Sequence, residues 1–185
     1  MRRRRDPESL FRPRYLRDRD RGTVPFLTAM RRKDREITDL EEILSIIDRA
    51  AFLTLSLSDE EGPYSLPINY GYEEADGKIT FYIHSALEGR KLAALRSGRK
   101  LSLSIALFDG YICSGEEKSW TSFFESFIGF GWAEELLDHD RKAKAMNTLM
   151  KKASGREHAF PEGSLNGTAV FAIHVDSYSA KRKKD

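Results

Sequence analysis

His84, Ser85, Gly89, Arg90 and Lys91 place the most chemistry in the fewest residues of this chain. A strand-like run, Phe81-Tyr82-Ile83, ends at His84; a short polar turn follows, and a helical pattern opens near Gly89. That order gathers an imidazole, a hydroxyl, unpaired backbone N–H groups and two cations at one strand-to-helix turn. Such a turn suits an anion, and a terminal phosphate best of all. The plainer reading stays open on these residues alone: Ser85 caps the turn, and Arg90 with Lys91 is a solvated helix face.

A second segment, Pro63-Tyr64-Ser65-Leu66-Pro67-Ile68-Asn69-Tyr70-Gly71-Tyr72, is interrupted at Pro67, a proline that cannot donate to a ladder. Exposed amides, one side-chain amide at Asn69 and little bulk would suit a flat ring lying along the strand; an ordinary edge strand is the alternative. The third segment runs from Trp120 to Trp132 through Phe123, Phe124, Ser126, Phe127 and Phe130. Aromatics at that density point to core or interface more often than to a stacking platform. Gly129 and Gly131 within it signal a bulge or a close approach by another group.

The elements that must hold these residues follow from hydrophobic period. A helix is predicted from about Thr38 to Ala50, with Thr38 and Glu41 as a capping box and Leu40, Ile43, Leu44 and Ile47 on one face. Period-two strands follow at Leu53–Leu57, at Tyr64–Tyr72 and, after the Asp76-Gly77 turn, at Ile79–Ile83. A short helix from Gly89 to Ser97 stops at Gly98, and a fourth strand covers Leu101–Leu107. A polar loop is expected at Asp109–Ser119, a fifth strand at Phe123–Ala133 and a helix at Asp138–Ala153. The last strand, Ala169–Val175, is apolar on nearly every residue and so belongs in the middle of a sheet. Six strands with helices around them imply a closed or nearly closed antiparallel barrel.

At 185 residues the chain fits one domain with a substantial core. Net charge of +2 argues against a general polyanion binder, and the lone Cys113 forbids an internal disulfide. No apolar run nears the roughly 20 residues that span a bilayer, and the arginines after Met1 lead into no signal-like apolar stretch. A cytoplasmic protein is expected, without a membrane or a specific nucleic-acid partner. The organisation reads as a basic extension over 1–36, one domain over 37–180 and a basic tail over 181–185. Arg2–Arg5 reads as a solvated run rather than an anchor, and Met30 offers an alternative start. His84, His139, His158, His174 and Cys113 lack metal-ligand spacing, so no metal site is expected; His174 reads as a satisfied core histidine.

Taken together, four pieces form a pattern in order and spacing over residues 30–178: Met30-Arg31-Arg32-Lys33-Asp34-Arg35-Glu36-Ile37, Pro63-Tyr64 leading to Pro67–Tyr72, His84-Ser85-Ala86 with Gly89 and Lys91, and Glu125–Gly131. The pattern resembles the FMN-binding split-barrel superfamily related to pyridoxamine 5′-phosphate oxidase, and within it the nitroimidazole-resistance branch. The resemblance implies a six-stranded antiparallel split barrel with flanking helices, mainly β. It further implies FMN with its phosphate near His84 and beside Ser85, Gly89, Arg90 and Lys91, and its ring along Pro67, Ile68, Asn69 and Tyr70. Ser126 would approach from the dimer mate or the adjoining strand, in a homodimer with the cofactor at its interface. His84 would be the catalytic residue in an oxidoreductase acting on a small molecule. The substrate-binding C-terminal segment of true pyridoxamine phosphate oxidases is not recognisable, which points away from that reaction. The alternative is a flavin or haem carrier or sensor with little turnover, using His84 as the iron ligand.

Overall fold

The computed structural model describes residues 30–113 and 120–183, so the readings made for Arg2–Arg5 and the rest of the extension up to residue 29 lie outside the described residues. After a 3₁₀ turn at Lys33–Arg35 come β1 (Glu36–Ile37), α1 (Leu40–Arg49), β2 (Leu53–Asp59), β3 (Gly62–Ile68), β4 (Gly71–Ala75) and β5 (Lys78–Ser85). They are followed by α2 (Arg90–Arg96), β6 (Leu101–Cys113), β7 (Trp120–Leu136), α3 (His139–Ser154) and β8 (Ala169–Lys183). All pairings are antiparallel, in the order β3-β2-β6-β7-β8-β5-β4, with β1 added to the far end of β8.

The path is open, yet its two edge strands, β3 and β4, are consecutive in the chain and separated only by Asn69 and Tyr70. The edges therefore meet at that one corner without pairing, which is what makes the barrel split. Six strands were expected, and the described residues form eight. One of the extra two is the two-residue β1. The other arises because the Tyr64–Tyr72 run breaks at the corner. The sequence could not show the break, because the in–out alternation continues through it: Ile68 and Tyr70 are buried and Asn69 is exposed. What turns the chain is Tyr70, whose hydroxyl donates to the carbonyls of Ile47 (2.6 Å) and Ala50 (3.0 Å) at the end of α1.

Alternate residues of the strands fill the interior: Leu53, Leu55, Leu57, Ile79, Phe81, Ile83, Leu101, Leu103, Ile105, Phe127, Phe171 and Ile173. Each contributes about 1.5–3 kcal/mol by leaving water. Ile43, Ile46 and Ile47 of α1, with Leu92 and Leu95 of α2, join the same cluster. A second cluster lies on the opposite face of β8, where Val170 and Ala172 meet Ala145 and Met146 of α3. β8 is thus buried on both faces, as its continuous apolar run required.

Several boundaries differ from expectation. Asp39, not Thr38, caps α1, accepting from the Glu42 amide at 2.9 Å. Ile37 is held extended against Ala180, and Asp39 with Glu42 repeats the capping pattern one residue later. The polar stretch from Asp109 is not a loop at its start, because β6 continues to Cys113 past a register shift between Phe108 and Tyr111. Residues 114–119, the remainder of that expectation, lie outside the described residues. β8 continues well beyond Val175, so Lys181–Lys183, read as tail, are its last residues. Arg182 there binds buried Glu125 at 2.5 Å and Glu42 at 2.6 Å. Among the described residues no helix is long and apolar enough to cross a membrane.

Candidate functional site

β5 carries His84 to the point where β4 stops accompanying it. The last β4–β5 rung joins Gly71 to Tyr82, and beyond it both Asn69 and His84 leave that pairing while β5 keeps β8, His84 opposite Val170. There Lys91 Nζ donates to the His84 carbonyl oxygen at 3.1 Å. The His84 ring is half-buried and its Nδ1 is buried without a hydrogen-bond partner. Burial first, and the Lys91 charge second, push the imidazole below its ordinary range. Burial likewise lowers the Lys91 ammonium. An orphaned imidazole nitrogen beside a partly desolvated ammonium is costly unless a ligand completes it.

The turn depends on Gly89, which begins α2 at φ +105°, ψ 167°, a conformation open in practice only to glycine. Ser85 is buried, on the inward face with Ile83 and so opposite to His84. Arg90 points away from Lys91's neighbourhood. Its Nε and Nη2 bind Asp59 at 2.7 and 3.0 Å, Nη1 stands 3.5 Å from Glu61, and the guanidinium lies 4.2 Å over the Tyr64 ring. Tyr64, part of the second segment but not among the expected cofactor contacts, has a buried hydroxyl with no hydrogen-bond partner. Its place beneath Arg90 has no signal in the sequence.

Of the four residues expected along the ring, two have side chains turned inward. The side chains of Ile68 and Tyr70 belong to the core, so this segment offers outward only Pro67, Asn69 and backbone. Pro67 is one end of a rung that runs through Thr54 and Ser104 to Ile128. Thr54, Pro67 and Ile128 are all exposed. Ser126 follows Ile128 on the same face, beside exposed Ala106. Across β8, however, the His84 rung meets β7 at Leu136, ten positions from Ser126, so the adjoining strand does not deliver Ser126 to His84. The candidates thus form two groups in one chain: the β5–α2 turn, and an open face of β3, β2, β6 and β7. Two open clefts of about 520 Å³ are lined by Asp48, Tyr72, Glu73, Thr148, Lys151 and Lys152, and by Asp138, His139, Asp140 and Glu162; neither holds a candidate residue.

The glycines of β7 serve the sheet itself. A Cβ on Gly131 would stand 2.0 Å from the His174 carbonyl oxygen, at a register shift between Phe130 and Gly131. His174 is partnered but not in the core: it is partly exposed, bonded to Glu134 at 2.9 Å and set against Trp132.

The order of pairing, the single covalent corner and the helix-bearing turn define an antiparallel split-barrel protein. A family model described as pyridoxamine 5′-phosphate oxidase matches residues 39–182, and the chain belongs to that family. No curated protein matches it. Among solved structures it is similar to a protein from Bacteroides thetaiotaomicron assigned to 5-nitroimidazole antibiotic resistance. The two are 27% identical with a TM-score of 0.68, over 79% of this chain and 85% of that one. The fold also matches a FAD- and haem-binding protein from Mycobacterium smegmatis (20% identity, TM-score 0.69, 82% of this chain and 74% of that one). A flavocytochrome from Azotobacter vinelandii matches similarly (20%, 0.70, 85% and 73%).

Proposed function

We propose that this chain is an FMN-binding oxidoreductase of the nitroimidazole-reductase type, acting on a small molecule as a homodimer with its flavin at the subunit interface. The observation that carries the reading is the buried, partnerless Nδ1 of His84 beside the Lys91 ammonium. The donor set fits a flavin phosphate: Lys91 would supply charge, the backbone from Ser85 to the Gly89 turn the nearby polar groups, and Pro67 with Asn69 an edge for the ring. Flavin, when bound, supplies the electron transfer. His84 would orient the cofactor or acceptor through Nδ1 and hold a proton for the acceptor. Because its pKa is lowered, the ring would be mostly neutral at neutral pH, a hydrogen-bond partner for the cofactor or acceptor, and the proton-donating imidazolium would grow only as pH falls. The division of candidate residues into a turn and an open face supports a site completed across a dimer.

The test is the spectrum and stoichiometry of the purified protein. Flavin bands released as FMN, one per chain, support the reading; protein that takes up neither FMN nor FAD overturns it. A second reading, haem carriage, is favoured by the same orphaned imidazole nitrogen, since such an atom ligates iron, and by the haem in one fold relative. A Soret band in place of flavin bands would select it.

A further inference from the structure

Arg90 and Lys91 are adjacent cations at the start of α2, yet they are used differently. Every polar edge of the Arg90 guanidinium faces the β2–β3 hairpin. Asp59 takes Nε and Nη2 in a fork, Glu61 faces Nη1, Nη2 also reaches the Gly62 carbonyl at 3.4 Å, and Tyr64 lies beneath the plane. Lys91, one residue on, makes its bond to the His84 carbonyl and is partly buried. Between His84 and Arg90 the chain passes through Gly89, at φ +105° and without a side-chain cap, so the glycine itself does little to hold the start of α2. A planar fork held on three sides fixes the backbone of residue 90 far better than a lone surface charge would. Fixing residue 90 fixes the next residue's direction.

We propose that Asp59 and Arg90 form a latch that positions Lys91 toward the cofactor phosphate, so that Arg90 is a positioning residue and not a phosphate ligand. The inference rests on the FMN reading, and it gives Arg90 a different role from the phosphate contact that the family resemblance implies. Its consequence has a distinctive sign. Asp59 carries a negative charge near a site meant for an anion, so by electrostatics alone its neutralisation should tighten phosphate binding. If Arg90 were a phosphate ligand restrained by Asp59, releasing it should also tighten binding. A latch requires the opposite.

The experiment titrates full-length apo protein with FMN and, as a phosphate-free control, with riboflavin. Asp59→Asn is expected to weaken FMN binding by about 5- to 20-fold, the size of a lost charge-assisted positioning contact, and to leave riboflavin affinity unchanged. Arg90→Lys, which keeps the charge and loses the fork, should give the same loss. In a Lys91→Ala background Asp59→Asn should have no further effect, a coupling that a purely structural role would not produce. Hydrogen exchange of the ligand-free protein provides the readout independent of cofactor: amides of Gly89 to Leu92 should exchange faster in Asp59→Asn, with the β8 core unchanged. Tighter or unaltered FMN binding in Asp59→Asn, or additive losses with Lys91→Ala, would overturn the latch. Wild-type protein that binds neither FMN nor riboflavin would sink the FMN reading instead, and exchange at residues 89–92 would still decide whether the latch exists.

Discussion

The Lys91 ammonium donates a 3.1 Å hydrogen bond to the carbonyl oxygen of His84, and the same positive charge disfavours protonation of the His84 ring. One cation therefore ties the start of α2 to the end of β5 and adds to the burial that lowers the pKa of the neighbouring imidazole. Lys91→Ala should weaken FMN binding by about 1.5–3 kcal/mol, the range for a contact to a charged group. It should leave riboflavin affinity nearly unchanged. Fluorescence titration of apo protein measures both, and an unaltered FMN dissociation constant would remove Lys91 from the site.

His84 is best tested apart from cofactor binding. If it holds the proton for the acceptor, His84→Ala should retain FMN while slowing its oxidation by roughly 10²–10⁴, the span of lost acid–base assistance. Single-turnover oxidation of chemically reduced, flavin-loaded protein by a nitroaromatic acceptor reads this without knowledge of the natural donor. Equal rates for both proteins would exclude the role for that acceptor.

The lowered pKa of His84 also predicts a pH dependence of stability. Burial and Lys91 hold the folded imidazole below its ordinary value of 6.5, so in acid the unfolded chain takes up the proton more readily. Stability from this group is complete above about pH 6.5 and is lost as pH falls toward the folded pKa. Urea unfolding from about pH 7.5 downward should show a smaller loss for His84→Gln than for wild type. In Lys91→Ala, NMR titration should show the His84 pKa rising.

Glu125 anchors the C-terminal strand. Burial would raise its pKa, but ion pairs with Arg49 and Arg182 outweigh burial and leave it lowered. Glu125→Gln removes the charge that both arginines share and should destabilise by about 1–3 kcal/mol. That is less than the roughly 3–5 of a fully buried pair, because Arg49 is about half exposed. Equilibrium unfolding checks this.

The open face predicts assembly. Ile128 is 39% exposed beyond Ser104 on the rung that starts at Pro67, and Phe108 is 61% exposed further along β6. Wild-type protein should sediment as a dimer at micromolar concentration, and Ile128→Glu should yield monomer with reduced FMN occupancy. A monomeric wild type that binds FMN at full stoichiometry would defeat the shared-site proposal.

The sequence by itself determined the strands, the helices and the richest turn, because period two, period 3.6 and glycine punctuation are local signals. Leu53–Leu57, Ile79–Ile83, Leu101–Leu107 and Ala169–Val175 needed only their own residues to be read as strands, whereas the opposite facing of His84 and Ser85 came only with the continuation of β5 to Ser85. Tertiary structure decided what local pattern cannot carry. Tyr70 broke an unbroken alternation because its hydroxyl found two carbonyls at the end of α1, some twenty residues away in the chain. Arg182 became part of a strand rather than a tail because Glu125 was waiting on β7. Arg90 and Lys91, equivalent as letters, were separated by the position of Asp59 on a hairpin about thirty residues upstream. In each case the deciding partner is distant in sequence, and a side chain's role follows from the partner that folding brings to it.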